Sequence, residues 1–112
     1  MSDDKDRAIA EALTALGLDE GLAWEWQFPS ERLAIGPIPH DFTKAEYLLP
    51  AVEAWREQKP EARWYRMDSA YLDQDAQAQC WDGDHCSEGG GERPFHALRN
   101  ALHAALTQEV IP

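Results

Sequence analysis

Ile9, Leu13 and Leu16 recur at i, i+4 and i+7 in a segment that is otherwise small or polar. That spacing lines one face of a helix and predicts a helix over 5–16. Asp3, Asp4 and Asp6 stand at its start, where carboxylates favour the positive end of the helix dipole. Gly17 is the expected left-handed stop, after which Leu18 folds back onto Leu13. The period then changes. Over 22–28, Trp24, Trp26 and Phe28 fall on one face of an alternating pattern, the mark of a half-buried strand, which Pro29 closes. Ile35-Gly36-Pro37-Ile38-Pro39 holds too many breakers for a regular element and is expected to be an extended connection on the surface.

A second helix is predicted over 43–58. Thr43 and Glu46 have the spacing of a capping box, with Phe42 and Tyr47 at the positions of a hydrophobic staple. Leu48, Val52 and Trp55 give it an apolar face. Pro50 removes one backbone donor inside it, so a kink is expected there. Pro60 biases Lys59 away from helical angles, which sets the end by Gln58.

Residues 62–71 read as an aromatic-rich strand containing Trp64, Tyr65 and Tyr71, and Asp73-Gln74-Asp75 supplies turn chemistry. From Ala76 to Trp81 the pattern alternates, with Ala76, Ala78 and Cys80 on one face and Gln77, Gln79 and Trp81 on the other. An antiparallel hairpin over 62–82 follows. Residues 82–93, rich in Asp, Glu and Gly, are expected to form an acidic flexible loop. Pro94 suits the first turn of a helix, predicted over 94–108. Phe95, Leu98, Leu102, Ala105 and Leu106 face the core; His96, Asn100, His103 and Thr107 form a polar stripe. The fold expected is α+β: one domain over 1–112, with a small antiparallel sheet, 22–28 as an extra strand, flanked by three helices.

Two segments carry a family resemblance: Asp41–Trp55, DFTKAEYLLPAVEAW, and Pro94–Leu106, PFHALRNALHAAL. Together they resemble the phage ABA sandwich domain, a family of small bacteriophage and prophage proteins. That family also has a Phe-Ser/Thr helix start and an Ala/Leu-rich last helix after an aromatic hairpin. The similarity extends over roughly 5–106; Pro50 and the long stretch after Trp81 depart from the simplest family pattern. The resemblance implies a phage origin and helices packed around a small sheet. The family has no established activity, so it implies no catalytic residue.

Charge narrows the partners. Ten Lys and Arg stand against 21 Asp and Glu, a formal net charge of −11. Contact with a nucleic-acid backbone needs clustered cations, and an anionic membrane leaflet attracts the same; neither is an expected partner. No apolar run approaches the ~20 residues of a membrane helix. The acidic start, Met1-Ser2-Asp3-Asp4, is unlike a secretory signal. A cytoplasmic location is therefore expected, with Cys80 and Cys86 as thiols.

The metal candidates are Cys80, His85 and Cys86, with His40, His96 or His103 to complete a tetrahedron. Their spacing matches no standard zinc motif, and Cys80 lies on the small-residue face of a strand, so no metal and no cofactor are expected. Asp82-x-Asp84 with Glu88 lacks the ligands and glycine offset of a calcium loop. A Cys86–His85 or Cys86–His40 pair has no orienting third group, and no catalytic residue is assigned. The partner-binding candidates are Trp81, Gln77, Gln79, Asp82, Asp84, Glu88 and Glu92. The expected function is a phage accessory protein that binds a host or phage protein without catalysis. Its sharper form is an acidic inhibitor of a host defence or nucleic-acid-processing protein, with a basic nucleic-acid-binding protein as partner. The alternatives are a self-associating structural protein and a metal-binding protein using Cys80, Cys86 and histidines.

Overall fold

The computed structural model describes residues 4–30, 33–68 and 76–108. In chain order these hold α1 (Asp4–Ala15), α2 (Glu20–Ala23), β1 (Trp24–Ser30), β2 (Leu33–Pro39), α3 (Ala45–Gln58), β3 (Arg63–Asp68), β4 (Ala76–Asp82), β5 (His85–Gly91) and α4 (Pro94–Gln108). The fold is α+β. Asp3 and the 73–75 turn lie outside the described residues.

α1 follows its periodicity: Ile9, Ala10 and Leu13 are buried. It ends in a Schellman motif, with Leu18 N–H donating to Leu13 O (3.2 Å) and Gly17 N–H to Thr14 O (3.0 Å). Gly17 has φ 82°, the left-handed geometry this ending requires. α2 is a single extra turn.

The strand expected at 22–28 forms as Trp24–Ser30: Leu22 and Ala23 belong to α2, Pro29 lies within the strand rather than closing it, and the strand belongs to a separate sheet. β1 pairs antiparallel with β2, and β3–β4–β5 form a second, three-stranded antiparallel sheet. The stretch 35–39 is therefore corrected from irregular connection to strand. Its prolines are tolerated because a two-stranded ribbon needs few donors, and the pairing carries two register shifts, one between Glu25 and Gln27 and one between Gln27 and Ser30. Its end also leaves the surface, since Pro39 and His40 are buried.

The start of α3 differs from the capping box. Lys44 is the N-cap and makes no side-chain cap bond. Asp41 organises the turn instead: its Oδ1 accepts both the Thr43 hydroxyl and the Thr43 N–H. The helix begins one residue later than the box requires, with extended Lys44 rather than Thr43 at the N-cap position, and the Thr43 hydroxyl is oriented towards Asp41. Burial alone would raise the Asp41 carboxyl, but these two bonds, Lys44 and Arg99 hold it below its ordinary value. α3 continues through Pro50 to Gln58.

The largest correction is at 82–93. This is not a flexible loop: β4 turns through Gly83-Asp84 into β5, which pairs with β4 from Asp82↔His85 to Ala76↔Gly91. Gly83, at φ 63°, supplies the left-handed residue that a two-residue hairpin demands. The glycines of β5 then admit α4. An ideal Cβ on Gly89 would lie 2.2 Å from Ala101 N and 2.5 Å from Ala97 O. Helix and strand backbones therefore meet along a Gly/Ala seam, tied by Asn100 Nδ2 donating to Gly90 O (2.8 Å).

α4 lies across β4 and β5, α1 packs on α4, and α3 meets β3. One buried cluster results, including Trp55, Phe42, Ile9, Leu13, Leu98 and Leu102. Two polar links reach into it. Asp6 and Arg99, both buried, face each other between α1 and α4 (3.5 Å). Arg63, 2% exposed, donates to Trp55 O and Gln58 Oε1 at the end of α3 and to Asp82 Oδ2, each at 3.1 Å.

α3 and β3 are also joined at Glu53, which accepts from the Tyr65 hydroxyl and from Arg56 Nη2, both at 2.7 Å. The Tyr65 bond first, then Arg56, holds the Glu53 carboxyl below its ordinary 4.5. A carboxyl lowered by folding stabilises fully above its unfolded pKa and loses that contribution as pH falls through the folded one. Glu53→Gln is expected to shallow the acid-side loss of stability, read as urea midpoints between about pH 7 and about pH 3. An unchanged slope would show that the carboxylate has no net role.

Candidate functional site

Strand alternation and register sort the β3–β4–β5 sheet into two faces. The inner face, with Ala76, Ala78 and Cys80 buried, meets α4. The outer face is made of three cross-strand rows: Trp64–Trp81–Cys86, Arg66–Gln79–Glu88 and Asp68–Gln77–Gly90. Trp64, Arg66, Asp68, Gln77, Glu88 and Gly90 are exposed and the other three half-buried. No described element covers this face.

Trp64 and Trp81 stack with centroids 5.2 Å apart and planes 5° from parallel. At 46% exposure, Trp64 is the one large hydrophobic side chain exposed among the described residues. The polar neighbours hold one another: Arg66 Nε donates to Asp68 Oδ1 (3.2 Å) and Gln79 Nε2 to Glu88 Oε1 (3.2 Å). Beside them is a shallow depression of about 160 Å³, lined by Gln77, Gln79, Glu88, Gly89 and Gly90 among others.

Compared with protein families, curated proteins and solved structures, the chain matches none. The site is therefore read from its own geometry.

Four of the seven partner-binding candidates, Gln77, Gln79, Trp81 and Glu88, come together on the outer face. Asp84 is exposed at the tip of the adjoining hairpin, and Glu92 is exposed just beyond β5. Asp82 does not join them: its carboxylate is engaged by buried Arg63. Trp64 and Arg66 were missed. The alternation of β3 separates them from Tyr65 and Met67, so their shared face was readable. Their position beside Trp81 was not, because it depends on the register between two separate strands.

The metal candidates are split. Cys80 pairs with Ser87 and faces the core, whereas Cys86 pairs with Trp81 on the outer face. A β-strand sends these two parities in opposite directions, so the two sulfurs cannot share one ion or a disulfide in this register. Among the described residues no group of three His, Cys, Asp or Glu is placed to hold a metal. Burial first, then Cys86, pushes the Cys80 thiol up to about 12. Desolvation and Glu88 also raise Cys86. Both are poor thiolates at neutral pH. A disulfide reagent is expected to titrate half-exposed Cys86 slowly and Cys80 only after denaturant is added. Equal native rates would contradict this burial.

Asn100, on the polar stripe of α4, has structural partners: besides Gly90 O, which its Nδ2 reaches, its Oδ1 accepts from Lys5 Nζ (3.2 Å) and Arg99 Nε (3.1 Å). Among the described residues no helix is long and apolar enough to cross a membrane.

Proposed function

We propose that the protein is a non-catalytic protein-binding module that docks through the outer face of the β3–β4–β5 sheet. The observation that carries this reading is the Trp64–Trp81 stack, which stands on a folded face with no described element over it. Soluble proteins bury aromatic surface of this size or use it at interfaces, where Trp is enriched among the energetic anchors. The raised thiols and the split metal candidates give no support to the metal-binding alternative. The resemblance to the phage ABA sandwich family supports a phage or prophage accessory role, with an inhibitor of a host defence or nucleic-acid-processing protein as its sharper form.

A photo-crosslinking residue placed at Gln77, exposed on this face, tests the reading against one at Glu57, exposed on α3. In bacterial extract the Gln77 site is expected to give a discrete adduct that Trp64→Ser abolishes, and the Glu57 site none. Equal labelling from the two, or adducts indifferent to Trp64, would refute it. The self-associating alternative is tested by sedimentation. A concentration-dependent dimer disrupted by Trp64→Ser would assign the face to a second copy.

A further inference from the structure

Arginine already covers tryptophan twice in this fold. The Arg63 guanidinium carbon lies 5.0 Å from the Trp55 ring centroid, and that of Arg7 lies 5.9 Å from Trp24. Among the described residues no cation stands over the Trp64–Trp81 pair. Arg66, its neighbour on the same face, is turned to Asp68. Carboxylates rim the pair. Gly83 N–H donates to Ala62 O (2.9 Å), which brings exposed Glu61 and Asp84 to the tryptophan end of the sheet. Glu88, in the next row, has one oxygen bound by Gln79 and lines the depression floored by Gly89 and Gly90.

An aromatic face rimmed by carboxylates complements a planar cation. We infer that the occupant of this face is an arginine-bearing segment of a basic partner protein, its guanidinium laid on the Trp64–Trp81 stack and paired with Glu88. The inference rests on the docking reading and names the partner's chemistry. Arginine fits better than lysine because its guanidinium is flat, weakly hydrated and able to stack while donating to a carboxylate. A second copy is disfavoured, since each would bring a charge of −11. The same charge repels phosphates.

The test uses four Gly-Xaa repeat peptides, with Xaa as Arg, Lys, Gln or Asp, titrated into the full chain and followed by the indole N–H resonances. The Arg peptide is expected to move the resonances of Trp64 and Trp81, with the Lys peptide at least about fivefold weaker. Glu61→Gln/Asp84→Asn/Glu88→Gln, three exposed changes, should weaken the Arg peptide about tenfold. Trp64→Leu should erase the preference for Arg over Lys while leaving the circular dichroism unchanged. Equal binding of the Arg and Lys peptides, equal binding of the Gln peptide, or unmoved indoles at saturation would overturn the assignment. If Gln77 gives a Trp64-dependent crosslink while the Arg peptide leaves the indoles unmoved, the docking face stands and the arginine falls. If both fail, the docking reading falls with it.

Discussion

Gly89→Ala should destabilise the protein by about 3 kcal/mol or more, against a total near 5–15 kcal/mol for a domain. The added Cβ would fall 2.2 Å from Ala101 N, 2.5 Å from Ala97 O and 2.7 Å from Asn100 C. All three are helix backbone and cannot rotate aside, so α4 itself would have to lift. It is held on both flanks, by the inner face of the sheet and, through Arg99, by Asp6 of α1. Lifting it would open the Leu98–Leu102 side of the core. Gly90→Ala is the control one residue away: there the nearest atom, Ala76 O, is at 3.8 Å, an ordinary contact. Its cost should stay below about 1 kcal/mol. Urea unfolding of the two variants decides the matter; equal midpoints would mean that the close approach is not what specifies glycine at 89.

Arg63→Ala carries the second large effect, about 3 kcal/mol. The guanidinium is buried to 2% exposure and serves three groups at once: Trp55 O, Gln58 Oε1 and Asp82 Oδ2. Its removal leaves a carbonyl in the last turn of α3 without this donor and Asp82 without its cation, and strips the Trp55 ring of the plane above it. Asp82→Asn should cost clearly less. The Asp82 side chain is 28% exposed, so water can replace part of what it loses, and Arg63 keeps its two bonds to α3. Measured stabilities should therefore rank wild type, Asp82→Asn, then Arg63→Ala. The reverse order, or two changes both under about 1 kcal/mol, would show the arginine to be dispensable.

Much of the helical framework was legible. The spacing of Ile9 and Leu13, Gly17 after them, Pro60 beyond Gln58 and Pro94 before Phe95 are local signals, and local physics decides them. The alternation of Ala76, Ala78 and Cys80 likewise predicted which face is buried. Failures came where a distant partner decides. Gly89-Gly90-Gly91 reads as flexible until α4 lies against it; at Gly89 and Gly91 the absence of a side chain is a packing requirement, not a freedom. The two-residue turn at Gly83-Asp84 was a readable hairpin signal, obscured by the glycines that follow. Thr43 and Glu46 have capping-box spacing, yet Lys44 takes the N-cap position and Thr43 turns to Asp41. Asp6, at a helix start where a solvated dipole charge is expected, is buried against Arg99. On the outer face, single-strand alternation was enough to select Trp81, Gln77 and Gln79. The pairing with Trp64 needed the register, and Asp82 could be removed from the set only once Arg63 was seen beside it.

The contact between α1 and α4 imposes an order of events on a nascent chain. α1 is made long before α4, on which it packs; Lys5 and Asn100, joined at 3.2 Å, are 95 positions apart. Asp6 cannot be sheltered until Arg99 has been made. The three-stranded sheet and α4, by contrast, follow one another in sequence from residue 63 onward, and such local contacts favour early assembly. Until α4 has been made, the amphipathic first helix has chiefly the single turn of α2 and strand β2 to pack on, and part of its apolar side stays in water.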